Sequence, residues 1–356
     1  MTDKENIRYA RHLVLDNIGS EGQSKLAQSK VLIIGIGGLG CPVSQYLSAA
    51  GVGNLGLVDG DAVSMSNLQR QILFNENDVT KNKAEVAQQK LSLLNPNVQI
   101  KAYPYYINSE NIIELFKDFD VIADCSDNFS TRYLVNDAAV KLDKPFVYAA
   151  LHKFQGQLSV FNYKMGPSYR CLFPEDKNKQ EGLNCNEVGV WSVLPGIMGT
   201  LQANEIMKIL VGLGDILSGK LFTLDSTNNK SLTLNFRRVE EQIQIAENSI
   251  LESEACFSNS TYSLNYTEFC SVIKNDVDLI DLREKHEYAA TEFNKAQRLP
   301  FSDIKNWIDY LSTKDIYLYC TAGNRSAAAV KLLREKGLKA FDLKGGLKNI
   351  EERNYE

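Results

Sequence analysis

The chain has 356 residues, 44% of them hydrophobic and 23% charged, with a formal net charge of -5. That length suggests about two domains and enough apolar material for full cores, which excludes a disordered or collagen-like chain. The acidic balance argues against a general attraction to nucleic acid or anionic membrane, so neither is expected as a partner. No apolar run approaches the ~18 residues of a spanning helix, and residues 1–12 lack the apolar segment of a signal peptide. Seven scattered cysteines read as reduced cytoplasmic thiols rather than a disulfide framework.

Residues 31–34 are an all-apolar strand of the buried parallel type. A glycine-rich turn, 35–40, leads into a helix whose apolar residues Leu39, Val43, Tyr46, Leu47 and Ala50 recur at helical spacing. A second strand, 55–58, runs into Asp59. Helices at 83–94, 109–116 and 131–142 then alternate with strands at 98–103, 121–123 and 146–149. Such alternation predicts an α/β fold with a mainly parallel sheet covered on both faces. From 157 the pattern turns antiparallel and closes in a hairpin, 221–225 with 231–236. Between them lie a polar stretch, 165–190, and an amphipathic helix, 197–211. The first domain is expected to span 1–240. Residues 241–261, rich in Glu, Ser and Asn, read as a linker. A smaller α/β domain, 262–356, follows, with strands at 277–281, 316–319 and 340–343 and helices at 266–274 and 326–336.

Gly35, Gly37 and Gly40 form a G-x-G-x-x-G turn between strand and helix. Such glycines let the backbone approach a phosphate, and the helix N-terminus favours its charge. Asp59 ends the next strand, where a carboxylate can hold a ribose. The turn alone does not separate a dinucleotide from ATP. Downstream, Ser66, Asn67, Leu68, Gln69 and Arg70 supply hydroxyl, amide and guanidinium groups, and Lys83 opens a helix. Asp127 and Asn128 follow the strand at 121–123, at the end of the sheet where ligands bind. Arginine and lysine suit a triphosphate, and a carboxylate suits its Mg²⁺. For Asp127, capping of the helix at 131–142 is the alternative.

These segments together resemble the MoeB/ThiF adenylyltransferases, which activate ubiquitin-like sulfur carriers and are related to ubiquitin-activating enzymes. The likeness rests on residues 8–12 (RYARH), 35–42 (GIGGLGCP), 49–61 (AAGVGNLGLVDGD), 66–71 (SNLQRQ), Lys83, 124–128 (DCSDN) and 182–190 (GLNCNEVGV). It implies a Rossmann-like domain holding ATP. By the same resemblance Gly38 lies at the phosphates, Asp59 at the ribose, Asn67 and Arg70 at the triphosphate, and Lys83 on the α-phosphate side, with Asp127 on Mg²⁺ and Asp61 also among the ATP-binding residues. It implies a homodimer in which Arg11 reaches the partner subunit's ATP. It also gives Cys185 a covalent role with the carrier. Many relatives hold a structural zinc with two C-x-x-C pairs. Here the first pair reads Ser168-Tyr-Arg-Cys171 and no second follows Phe236, so no zinc is expected.

In the second domain, Cys320-Thr-Ala-Gly-Asn-Arg-Ser326 lies between a strand and an alanine-rich helix. Gly323 permits a curl of inward N–H groups, and Arg325 adds positive charge, a setting for a thiolate or persulfide on Cys320. The loop, with Ser326, resembles the rhodanese pattern C-x-x-G-x-R-S. The combined resemblance implies adenylylation of a carrier ending in Gly-Gly, then sulfur transfer from a Cys320 persulfide to give a thiocarboxylate. The sulfur donor would be a cysteine desulfurase or thiosulfate, and the pathway molybdopterin, thiamine or tRNA thiolation. A non-catalytic scaffold and an NAD-dependent oxidoreductase are the alternatives.

Overall fold

A computed structural model describes residues 2–175, 189–249, 262–274, 277–284, 287, 293, 295–311, 315–321 and 323–347. The chain divides into two compact units, Met1–Glu252 and Ser253–Glu356.

The first unit is built on an eight-stranded sheet: β1 (Lys30–Ile34), β2 (Asn54–Val58), β3 (Gln99–Tyr103), β4 (Val121–Asp124), β5 (Phe146–His152), β6 (Gln155–Phe161), β7 (Lys220–Asp225) and β8 (Lys230–Asn235). Their order is β3-β2-β1-β4-β5-β6-β7-β8. The first five are parallel and the last three antiparallel, as the change of pattern after residue 149 predicts. Alternate residues of the central strands feed two cores. Val31, Ile33, Leu57 and Ala123 pack under the helices Gly40–Ala50, Lys83–Leu94 and Leu194–Val211. Leu32, Ile34, Ile122 and Phe146 pack under Ile112–Lys117 and Phe129–Lys141. Both sides of β1 are thus apolar because both are covered. The chain order reverses between β1 and β4, and the carboxyl ends of these neighbours open the crevice in which such sheets bind ligands.

Three helices precede β1: Asp3–Arg8, Ala10–Leu13 and Gly19–Gln28. The third buries Leu26 and Gln23. Gln23 donates to the Ala50 carbonyl at 2.9 Å and meets His12 Nδ1 at 2.8 Å.

The residues read as a linker differ from that expectation at their start. Glu240–Asn248 is a helix of the first unit, with Ile243 and Ala246 buried. Its polar composition conceals a two-residue apolar stripe, too short to register as periodicity. The expected helix at 131–142 begins two residues earlier, at Phe129, because Asn128 Oδ1 accepts the Thr131 N–H at 2.8 Å. Asn128, not Asp127, is the cap.

The second unit has a five-stranded parallel sheet: β9 (Ser263–Leu264), β10 (Asp278–Asp281), β11 (Gln297–Arg298), β12 (Ile316–Tyr319) and β13 (Ala340–Leu343), in the order β11-β10-β12-β13-β9. The helix predicted from 326 starts at Asn324 and runs to Glu335.

One polar contact ties the second core of the first unit together. Arg170 meets Asp137 through Nε at 2.7 Å and Nη2 at 2.8 Å, both side chains nearly buried, and Glu175 joins at 2.7 Å. Removing one partner strands the other charge away from water. Asp137→Ala should therefore destabilise the first unit by about 3–5 kcal/mol, read as a lower urea midpoint. A loss below about 1 kcal/mol, the scale of an exposed pair, would show that water replaces the carboxylate.

Candidate active sites

The glycine turn is fixed by close approach. Gly35 has φ +86°, and a Cβ there would lie 2.9 Å from the Cys125 carbonyl oxygen in the loop after β4. At Gly40 a Cβ would fall 2.0 Å from the Gly35 oxygen. Gly38 packs against Pro195 and Arg70, with Cβ contacts of 3.0 and 3.7 Å, and Gly37 faces Gln71. The turn is therefore held between β4's loop, the stretch after β2 and the start of helix Leu194–Val211.

Asp59 anchors this turn from β2. Its buried Oδ2 accepts the Ile36 N–H at 2.7 Å, and Oδ1 accepts the Asp61 N–H at 2.8 Å. Burial raises its pKa, with Lys83 opposing. Lys83 is itself buried and ion-paired to Asp61 at 2.9 Å. Burial works to lower its pKa, but Asp59, Asp61 and Asp127 outweigh it and the net shift is upward. Lys83 thus stays charged among three carboxylates. Tyr106 Oη donates to Asp61, and its ring covers Gly60.

Asn67 closes a short 3-10 turn, Met65–Asn67. Its Nδ2 is 3.5 Å from Ser66 Oγ, and Arg70 Nη1 donates to the Ser66 carbonyl at 3.3 Å. Leu68 packs on the core, whereas Gln69 is exposed. Asp127 is exposed beyond the end of β4. An exposed carboxylate at a strand end is the kind of donor Mg²⁺ takes beside phosphates, since it keeps waters and phosphate oxygens for its other positions. Among the described residues no group of three or more His, Cys, Asp or Glu is placed to hold a metal ion. Cys171 Sγ instead accepts the Val239 N–H at 3.3 Å.

Two buried oxygens at this crevice escape sequence inspection. Asp124 Oδ1 accepts from the Ser126 N–H and hydroxyl, but among the described residues neither Asp124 Oδ2 nor Gln71 Oε1 has a hydrogen-bond partner. Burial raises the Asp124 pKa. Arg11 is not part of this crevice. It is exposed and lines a separate open cleft of about 240 Å³ with Arg8, His12, Tyr46 and Met207. Cys185 lies outside the described residues.

In the second unit, buried Cys320 follows β12. The Gly323 N–H donates to its Sγ at 3.1 Å, and Ser326 Oγ lies 3.6 Å away. Gly323 has φ +85°, and a Cβ would meet the Gly345 nitrogen at 2.9 Å, so only glycine makes this curl. Arg325 has a carboxylate partner that its loop does not announce. Its guanidinium reaches Glu287 at 2.5 and 2.6 Å, and Thr321 Oγ1 donates to the same carboxylate at 2.8 Å. Glu287 lies 38 residues from Arg325 in sequence, in a segment without periodicity, so no local pattern announces it.

Residues 9–244 match the ThiF family, and residues 271–353 match the rhodanese-like domain. "Adenylyltransferase and sulfurtransferase MOCS3" of Xenopus laevis is 36% identical, across 98% of this chain and 86% of its own length. "Sulfur carrier protein adenylyltransferase" of Thermus thermophilus is 47% identical over 67% of this chain and 89% of its own. Among solved structures, E. coli MccB has a TM-score of 0.58 at 24% identity, covering 66% of this chain and 72% of MccB. At that identity it supports the fold alone.

The Arg325–Glu287 pair has a pH signature. Its hydrogen bonds to Arg325, opposed by burial, hold Glu287 down from 4.5 to about 2. A lowered native pKa gives stability that is complete above the unfolded value of 4.5 and is lost as pH falls toward about 2. The melting temperature of the second unit should fall across that window in the wild type, and fall less in Glu287→Gln. Parallel pH profiles would show that the pair contributes nothing.

Proposed function

The chain belongs to the ThiF family and carries a C-terminal rhodanese-like domain, and from that premise we propose how its two sites act in sequence. It is an adenylyltransferase with a sulfurtransferase domain, and the oxidoreductase and scaffold alternatives fall away. The substrate we assign is a ubiquitin-like sulfur carrier ending in Gly-Gly. The observation that carries this reading is the crevice itself: a glycine turn bound to a ribose-side carboxylate, with a buried charged lysine and an exposed carboxylate beside it.

The carrier's terminal carboxylate is already ionised at neutral pH, so no general base is needed. It attacks the α-phosphorus of ATP and pyrophosphate leaves. Catalysis then rests on position and charge. We assign the N–H groups of 35–40 and Gly38 to the phosphates, Asp59 and Asp61 to the ribose side, and Ser66, Asn67 and Arg70 to the triphosphate. Lys83 would reach the α-phosphate by exchanging Asp61 for it. Asp127 would hold Mg²⁺, which when bound neutralises triphosphate charge. In the second unit a Cys320 persulfide attacks the acyl-adenylate carbonyl, forming a carbon–sulfur bond as AMP leaves. Cys185 is assigned the thiol that then attacks Cys320 Sγ of the acyl disulfide, so that a Cys185–Cys320 disulfide forms as the carrier thiocarboxylate leaves, and a dithiol reductant of the cytoplasm restores both thiols before the next turnover. Arg11 is proposed to act on the partner subunit's ATP in a homodimer, consistent with its exposed place away from its own crevice. We place the reaction in the cytoplasm, where thiols stay reduced; the described cysteines are unbridged. The donor is a persulfide-bearing protein or thiosulfate, and the product serves molybdopterin, thiamine or thiolated tRNA.

Asp127→Ala should cut carrier-dependent ATP–pyrophosphate exchange by at least about 100-fold while its thermal unfolding stays that of the wild type. Near-normal exchange would remove Asp127 from the site. A mixture of Arg11→Ala and Asp127→Ala should recover part of the exchange that each lacks, because one of the two mixed sites has both residues intact. No recovery despite subunit exchange shown by mass spectrometry would place Arg11 outside the reaction.

A further inference from the structure

Cys320 does not stand alone in its pocket. Ser326, fully buried, holds its hydroxyl 3.6 Å from Cys320 Sγ, 3.0 Å from the Gly323 carbonyl and 3.4 Å from Asp342 Oδ2. Asp342, on β13, is likewise buried, and its other oxygen accepts from Ser263 Oγ at 2.6 Å. One hydroxyl proton thus has three acceptors within reach, and a carboxylate sits directly behind the thiol. We propose that Asp342, acting through Ser326, is a positioning residue that takes up and returns the Cys320 proton during sulfur loading. The inference rests on the reading of Cys320 as the persulfide carrier.

The step balances without any outside redox agent. The Cys320 S–H proton passes to Ser326 Oγ as the hydroxyl's own proton passes to Asp342 Oδ2. The resulting thiolate attacks the outer sulfur of the donor. A new S–S bond forms and the donor's S–S bond breaks, its electron pair leaving on sulfite when thiosulfate is the donor. Protonated Asp342 then donates to Ser326 Oγ, which frees the serine O–H to point at the persulfide anion. When the sulfur departs, the proton can return to Cys320.

The surroundings suit this role. Burial, opposed by the hydroxyls of Ser263 and Ser326, raises Asp342 to about 6, so the group can both accept and release a proton near neutrality. Charged and titratable groups on the packed elements have other partners. Arg325 meets Glu287, and Arg334 donates to the Ala340 carbonyl with its guanidinium over the Tyr262 ring. Glu268 caps its own helix at Asn265, Tyr317 stacks on Phe341, and Lys339 pairs with Asp315. The Asp342 carboxylate takes hydrogen bonds from the hydroxyls of Ser263 and Ser326 and from its own backbone N–H, with Cys320 behind Ser326.

The test is the rate of sulfur loading from thiosulfate by the full-length chain, followed by the mass gain of about 32 Da on the Cys320 peptide, from pH 5 to 9. In the wild type the rate should rise through about pH 6 and then level off, since ionised Asp342 accepts the proton from the neutral thiol. In Asp342→Asn and in Ser326→Ala the plateau should vanish. The rate should instead keep rising with pH across the whole range, and at pH 7 it should be about 100-fold below the wild type. Variants that keep the wild-type plateau would overturn the relay. If Asp342→Asn does not fold, Ser326→Ala decides, because it leaves the carboxylate and its Ser263 bond in place. A wild type that gains sulfur at a cysteine other than Cys320 would overturn the underlying assignment instead, a result separate from an altered pH profile.

Discussion

The first unit depends on a contact that admits no side chain. A Cβ at Gly40 would lie 2.0 Å from the Gly35 oxygen, and one at Gly35 would lie 2.9 Å from the Cys125 oxygen. These two approaches fold the turn onto the loop after β4, and Asp59 then holds it from β2 through the Ile36 N–H. Three neighbouring parallel strands thereby present their carboxyl ends in one place. Lys83, Asp61 and Asp127 could not share a crevice without that closure.

Both units solve one problem by the same means. On the proposed reading an anion, phosphate in one and sulfur in the other, would be met at the carboxyl end of a parallel strand where a glycine curl runs into a helix. Backbone N–H groups provide fixed positive charge there without desolvating a full cation. The structure extends this economy further than residue types suggest. Lys83 is balanced by Asp61, and Arg325 by Glu287. In each site a cation is paired with a carboxylate.

How much of this was legible in the chain depended on where the signal was local. The helix Lys83–Leu94 was readable at both ends, because Asn82 caps it and Asn95-Pro96 stops it. β1 was readable because it is apolar on both faces. The polar helix Gly19–Gln28 was not, since its buried residues are Gly22, Gln23 and Leu26. Nor was Glu240–Asn248, whose packing rests on Ile243 and Ala246. In the sites, glycines and the loop cysteine stood out because spacing within a few residues defines them. Glu287, Asp342 and Pro195 did not, because their partners are far away in sequence and only the sheet order brings them together.

The buried carboxylates show why sheet order matters to chemistry as well as to shape. Asp59, Asp124 and Asp342 all lie at or near strand ends, and burial raises the pKa of each. A strand end is where side chains leave the packed layer yet remain covered by the loops of neighbouring strands. An acid placed there keeps a high proton affinity unless hydrogen-bond donors or a cation offset the desolvation. For Asp59 the offset comes from Lys83 and from the N–H groups of Asp61 and Ile36. For Asp342 it comes from two hydroxyls and its own backbone N–H. The same position in a parallel fold therefore yields an anchor in one unit and a proton exchanger in the other, and the difference lies in what the adjoining loop supplies.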